Sequence, residues 1–155
     1  MELKFSKMHG CGNDYIYINC VGSSELENPG KVSEILSRPH FGVGADGIVL
    51  ICSSNKADFK MRMFNADGSE GKMCGNAIRC VAKYVCDRGL FSGNSVKIET
   101  LSGTKIVKVK KQNDVVISAT VDMGPVKLQP SEIPVKGNFS SPLIAHDLAQ
   151  ESAGT

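Results

Sequence analysis

Residues 74–89 read Cys-Gly-Asn-Ala-Ile-Arg-Cys-Val-Ala-Lys-Tyr-Val-Cys-Asp-Arg-Gly. Ile78, Val81, Ala82 and Val85 recur at helical spacing, which makes one face of the segment apolar. Gly89 stands where a left-handed C-cap is needed. The pattern predicts a helix over Gly75 to Arg88, with Cys74 immediately before it. On both sides the periodicity is that of strands. Upstream, Tyr15 to Cys20 places Ile16, Ile18 and Cys20 on one face. Ile48 to Cys52 is an apolar run of strand length, and Phe59, Met61 and Met63 alternate with Lys60, Arg62 and Phe64. Downstream, Val96 and Ile98 alternate with Lys97 and Glu99, and Val107 and Val109 with Lys108 and Lys110. Val115, Ile117, Ala119 and Val121 alternate with Val116, Ser118, Thr120 and Asp122. Ser102-Gly103 and Gln112-Asn113-Asp114 are turn signals between the last three runs. Half-buried strands in an antiparallel meander are the expectation. A second helix is expected over Pro29 to Ser37, with Val32, Ile35 and Leu36 on one side and Pro39 as its stop.

From about Met123 the periodicity fades, and prolines fall at 125, 130, 134 and 142. The tail from His146 to Thr155 has no closing element, and there is no internal repeat. The expected organisation is one domain over residues 1–123. Residues 124–155 would be a linker and the start of a second domain in a longer protein.

Composition narrows the function classes. In 155 residues, 41% are hydrophobic and 22% charged, which suits a soluble globular chain rather than a disordered one. A net charge of +2 supplies no basic field for nucleic acid. Lys105, Lys108, Lys110 and Lys111 alternate with valines, as on the solvated face of a strand. No apolar run approaches the roughly 20 residues of a membrane span. Met1 to Phe5 lacks the apolar stretch of a signal peptide, and no transit peptide is visible. A cytoplasmic location is the default, with a plastid left open for a plant source. Six cysteines in such a compartment are expected to be reduced. No Cys-x-x-Cys occurs, and His9, His40 and His146 are scattered, so a structural zinc site is not expected. Cys20, Cys52, Cys80 and Cys86 read as small buried hydrophobes. Cys11 and Cys74 sit beside glycines and polar residues and stay open.

Gly42-Val43-Gly44-Ala45-Asp46-Gly47 matches the dinucleotide fingerprint letter for letter. That fingerprint works with a strand before it and a helix after it. Here a helix precedes and a strand follows, so the stretch reads as a glycine-rich loop, either structural or packed near a different ligand. His9-Gly10-Cys11-Gly12-Asn13-Asp14 and Phe64-Asn65-Ala66-Asp67-Gly68-Ser69 each read as a turn or as a ligand-facing loop. Cys74-Gly75-Asn76 combines more chemistry. A thiol before a helix meets the positive end of the helix dipole, which favours thiolate. The same helix start carries N–H groups without intrahelical partners, which suit a carboxylate. A base and an anion cradle would then be adjacent; the alternative is a buried cysteine with an N-capping asparagine.

In order and spacing, these segments resemble diaminopimelate epimerase. The resemblance is carried by Phe5 to Asp14, Arg38 to Gly47, Phe64 to Glu70 and Cys74 to Cys80, and it spans residues 3 to about 124, ending at Val121-Asp122-Met123-Gly124-Pro125. It implies an α/β (α+β) fold: a curved, mostly antiparallel sheet wrapped around a central helix, one of two pseudo-symmetric domains with the active site between them. It implies interconversion of LL- and meso-2,6-diaminopimelate for lysine and peptidoglycan synthesis, without pyridoxal phosphate, other cofactor or metal. Cys74 matches the N-terminal catalytic thiol; Asn13, Asn65, Gly75 and Asn76 match substrate-contacting positions. The second cysteine would belong to the C-terminal domain, and a homodimer of the full-length enzyme is compatible with the family. There are two departures. Gly47 stands where many relatives carry a substrate-contacting glutamine, so that contact would come from backbone or elsewhere. Cys11 stands where relatives often have a larger apolar residue, and reads as a packing variant. The competing readings are a related racemase or isomerase of the same fold, and an inactive ligand-binding half-domain.

Overall fold

Strands β1 (Ser6–Gly10) and β2 (Asn13–Cys20) form a hairpin, with Ser6 opposite Tyr17 and Gly10 opposite Asn13. Only Cys11 and Gly12 are left to turn the chain, and both take positive φ, 56° and 84°. Such a two-residue turn matches the twist of the strands it joins. Cys11 is exposed there. The packing variant expected at this position lies at a hairpin tip, outside the core of this unit. The computed structural model describes residues 2–133. Met1–Asp122 forms one unit. From Met123 onward a separate unit follows, whose described part contains a single-turn 3-10 helix, Pro130–Glu132. The expected start of a second domain falls mostly on residues 134–155, outside the described residues.

Strand β3 (Gly47–Cys52) runs parallel to β2, with Ile16 opposite Ile48. Strand β4 (Phe59–Asn65) runs antiparallel to β3, and the short β5 (Glu70–Gly71) pairs with β4. Strand β6 (Ser95–Thr100) lies parallel to β4, and β7 (Gly103–Gln112) and β8 (Val115–Val121) complete a meander. Five of these seven pairings are antiparallel, so the sheet is mostly antiparallel, as expected. The unbroken antiparallel meander holds for β6 to β8 but fails at β2–β3 and β4–β6. Parallel neighbours need a crossover of about a dozen residues or more, usually helical. The chain supplies two, helix α1 (Pro29–Leu36) between β2 and β3 and helix α2 (Gly75–Asp87) between β4 and β6.

The two helices cover opposite faces. On one, Tyr15, Tyr17, Val49, Ile51, Phe59, Met61 and Met63 join Ala77, Ile78, Val81, Ala82 and Val85 of α2 in the main core. On the other, Ile16, Ile18, Cys20, Ile48, Leu50, Cys52 and Phe64 pack with Val32 and Leu36 of α1. Strands β2 and β3 are therefore buried on both faces, not half-buried. Helix α2 touches β1 and β2 at one end of the sheet and β7 and β8 at the other, so the sheet curls around it. Ile78, Val81 and Val85 are fully buried. Burial of each such side chain is worth about 1.5–3 kcal/mol, which anchors the helix that follows Cys74.

Two side-chain assignments change. In α1 the fully buried residue is Ser33, whereas Ile35 is 51% exposed. The Ser33 hydroxyl donates to the carbonyls of Phe64 and Asn65 at 3.1 and 2.8 Å, so a polar contact ties this helix to the end of β4. In β8, Val116 faces Lys111 and Ser118 faces Lys110, leaving Ile117 as the extra residue of a bulge. The alternation changes parity there. Val116 packs inward before the bulge and Ala119 and Val121 after it, while Val115 and Ile117 stay half exposed. The backbone of Val116 is pinned to α2: Lys83 Nζ donates to its carbonyl and its N–H donates to Asp87, at 2.7 and 2.8 Å. Helix α2 ends as predicted. Gly89 has φ 67°, its N–H donates to Cys86 O, and Leu90 N–H donates to Val85 O, closing a Schellman motif.

Candidate active site

Cys74 is the N-cap of α2, with extended backbone at φ −138° and ψ 119°. Its carbonyl accepts the first helical bond from Ile78 N–H at 3.0 Å. Its half-buried Sγ accepts from Ala77 N–H at 3.4 Å, so the sulfur itself caps the helix. Gly75 and Asn76 are the first two helical residues, and their N–H groups have no acceptor within the helix. The expected adjacency of a thiol and opening N–H groups is therefore present. Asn76 is inside the helix and does not cap it.

The hairpin turn delivers Asn13 to the same place. Cys74 Sγ donates to Asn13 Oδ1 at 3.3 Å, and Asn76 Nδ2 donates to the same oxygen at 3.4 Å. Residues 61 and 63 positions apart in sequence thus share one acceptor. Two charged groups flank them. Asn13 Nδ2 donates to Asp46 Oδ2 at 2.6 Å, and Arg79 donates to Asn76 Oδ1 at 2.8 Å and toward Cys11 Sγ at 3.7 Å. The Asp46 carboxylate also accepts the Asp14 N–H at 3.1 Å.

Asn65 is joined to this group through backbone. It faces Gly47 in the β3–β4 ladder, and Ala66 N–H donates to Asp46 O at 3.0 Å. Its side chain donates to Ser69 Oγ at 2.9 Å, inside its own turn. Four of the five expected site residues, Asn13, Cys74, Gly75 and Asn76, converge directly, and Asn65 borders them. Gly47 opens β3 at φ 157°, and a Cβ there would lie 2.0 Å from Phe64 O. No side chain fits at that position, so any contact from it is made by backbone. The glycine-rich loop as a whole sits on the C-terminus of α1: Gly42, Gly44 and Ala45 donate their N–H groups to Arg38, Leu36 and Ser37 carbonyls. Those donors are spent on the helix end, which removes the basis for a phosphate cradle.

Three residues at the site were not singled out from sequence: Asp46, Arg79 and Tyr15. Asp46 and Arg79 lie inside the quoted motifs, and Arg79 stands three residues after Asn76, one turn along the same helix face. Tyr15 is buried in the main core. Burial pushes its hydroxyl above the ordinary tyrosine value, a hydrogen bond with Asn13 acts against this, and Cys74 and Asp46 push it further up. The hydroxyl therefore stays neutral beside Asn13. Cys20, Cys52, Cys80 and Cys86 are buried as expected. Burial raises all four thiols, Cys52 to about 12.

Comparison with known proteins bears on this geometry. The family model described as diaminopimelate epimerase matches residues 5–129. A diaminopimelate epimerase from Acetivibrio thermocellus is 53% identical over 136 residues, covering 88% of this chain and 48% of that protein. One from Phocaeicola vulgatus is 54% identical over 155 residues, covering 99% of this chain and 55% of that protein. Among solved structures, a hydroxyproline epimerase from Agrobacterium vitis aligns with a TM-score of 0.59 at 13% identity, over 77% of this chain and 40% of that one. A phenazine biosynthesis protein of the PhzF family from Bacillus anthracis aligns at 0.54 and 23%, over 73% and 36%. These two establish the fold alone. The chain spans about half the length of the curated relatives it matches.

Proposed function

The chain belongs to the diaminopimelate epimerase family, and we propose that, as the N-terminal domain of a protein of its relatives' length, it interconverts LL- and meso-2,6-diaminopimelate. Cys74 is one of two catalytic thiols in this reading. The second comes from the half of the relatives that this chain does not cover. One sulfur, as thiolate, takes the α-proton from one face of the substrate. The other, as thiol, returns a proton to the opposite face and inverts the centre.

An α-hydrogen of an amino acid is a weak acid, and without pyridoxal phosphate the protein must stabilise the developing charge itself. The N–H groups that open α2 suit the substrate α-carboxylate, and fixed donors of this kind act most strongly in a closed, dry site. Asn13 Oδ1 is an acceptor and suits the α-ammonium group. The observation that carries this reading is the placement of Cys74 Sγ at the N-cap of α2, 3.3 Å from Asn13 Oδ1. A catalytic thiol that must stay reduced to work fits the cytoplasm. A homodimer of the full-length protein is compatible with the reading.

The test is conversion of LL- to meso-diaminopimelate by the full-length protein, followed by chiral chromatography with no added pyridoxal phosphate. Conversion that disappears in Cys74→Ala supports the proposal. No conversion by the wild type, or undiminished conversion by Cys74→Ala, refutes it. The 155-residue chain alone, with one of the two thiols, is expected to give none.

A further inference from the structure

The side-chain chain that runs Asp46–Asn13–Asn76–Arg79 has a defined direction. A carboxylate can only accept, so Asp46 Oδ2 at 2.6 Å requires Asn13 to present its NH₂ group there. Asn13 must then turn its carbonyl oxygen toward Cys74 Sγ and Asn76. A guanidinium can only donate, so Arg79 at 2.8 Å requires Asn76 to present its carbonyl oxygen there and its NH₂ group to Asn13. The orientation of an amide is ordinarily ambiguous, because its two ends are alike in shape. Here a negative group at one end and a positive group at the other impose the same orientation on both amides.

The geometry points to Asp46 and Arg79 as positioning residues that lock the Asn13 and Asn76 amides, so that Cys74 and the substrate meet a carbonyl acceptor at Asn13 and never its NH₂ group. This rests on the epimerase reading for its consequence, since an Asn13 turned the other way would offer a donor to the substrate ammonium. The lock itself is a property of the side chains whatever the substrate. Asp46 is held by more than Asn13: its carboxylate takes the Asp14 N–H, its own N–H donates to Asp14 O at 2.9 Å, and its carbonyl takes the Ala66 N–H. It is a braced post on which the amide is hung. Arg79 is half-buried on α2 and bound to Asn76 on its own helix, three residues back.

The test reads the amide through Cys74 in the full-length protein. The titratable groups electrostatically coupled to this thiol are Tyr15 and Tyr17 from β2 and Cys80 from α2, while Asp46 and Arg79 reach it only through Asn13 and Asn76. The rate of iodoacetamide alkylation of the Cys74 peptide is followed at one near-neutral pH, because thiolate is the reacting form. A carbonyl oxygen beside the sulfur supports the S–H form. An amide N–H in its place supports thiolate, and loss of a nearby carboxylate acts in the same direction. Asp46→Ala is therefore expected to speed Cys74 alkylation at that pH by about tenfold.

Charge and amide rotation are separated by repeating the substitution in an Asn13→Ala background, where only the charge remains. The gain in rate should shrink to half or less there. An equal gain in both backgrounds, or no gain in either, overturns the lock. Asp46→Asn, whose carbonyl oxygen can take both the Asp14 N–H and the Asn13 NH₂ as Oδ2 does, removes the charge but keeps the amide orientation; it is expected to speed alkylation by no more than half as much as Asp46→Ala, and an equal gain overturns the lock. Should Asp46→Ala not fold, Asp46→Leu, which is of similar size and has no acceptor, takes its place. For Arg79, turnover is the readout. Arg79→Met should lose about tenfold or more, because small misplacements in an active site are costly, while Arg79→Lys keeps a donating cation and most of the rate. Equal losses in the two variants overturn the role of Arg79. Absence of Cys74-dependent turnover in the wild type counts against the epimerase reading alone, since the alkylation rates report on the lock regardless.

Discussion

Replacing Cys74 by serine and by alanine should move stability and activity in different orders. Sγ accepts from Ala77 N–H at 3.4 Å, so the sulfur occupies the N-cap position and bonds the third helical residue. Sulfur is a weak acceptor. Serine is among the strongest N-caps, and its replacement by alanine typically costs about 1 kcal/mol. The expected order of stability is therefore serine, then cysteine, then alanine, spanning about 1 kcal/mol. Catalysis follows a different order. Serine retains the cap and a hydrogen bond to Asn13 but is a far weaker acid, so proton transfer should fall by about 10²–10⁴-fold in both variants. Urea unfolding gives the first order, read from midpoints at unchanged slope. Epimerisation rates give the second. A serine variant within tenfold of wild-type turnover would contradict the proton-transfer role. A serine variant no more stable than alanine would contradict the capping geometry.

Two further outcomes follow from the scaffold. Ser33→Ala removes a fully buried hydroxyl from the Phe64 and Asn65 carbonyls, and should cost about 1–3 kcal/mol in urea unfolding and raise KM through a looser Asn65; unchanged values in both would mean that α1 does not brace the site. Burial opposes ionisation of Asp87, but hydrogen bonds from Lys83 and the Val116 N–H outweigh it and hold the carboxyl below its ordinary value. A depressed carboxyl contributes stability above its unfolded value of about 4 and loses it as pH falls through the lower folded value. Wild type should exceed Asp87→Asn by less than about 1 kcal/mol at pH 7, since the side chain is 24% exposed, and the gap should close in acid; a gap independent of pH would refute the assignment.

How far the sequence reaches differs from element to element. Helix α2 was legible to its ends, because four apolar residues at helical spacing and a glycine at C′ all favour the same conformation. The meander β6–β8 was legible for the same reason, with Asn113 and Asp114 supplying the positive φ of its turn. Pairing direction was not legible, since alternation is identical in parallel and antiparallel strands and only the crossover helices distinguish them. The parity change in β8 arises from one unpaired residue, Ile117, which looks like any other apolar position. The burial of Ser33 is not legible in the sequence, because a serine's acceptors are set only by the fold. At the site, Cys74 and the opening of α2 are local features and could be read directly. The Asp46–Asn13 bond links residues 33 positions apart, and no periodicity announces it.

The most direct test of the central claim is hydrogen exchange at the substrate α-carbon in deuterated water. The full-length wild type, given LL-diaminopimelate, is predicted to place solvent deuterium at one α-carbon as meso product forms. Cys74→Ala is predicted to form neither. Inversion with deuterium incorporation that persists in a folded Cys74→Ala protein would show that the proton passes through another group, and would contradict the account.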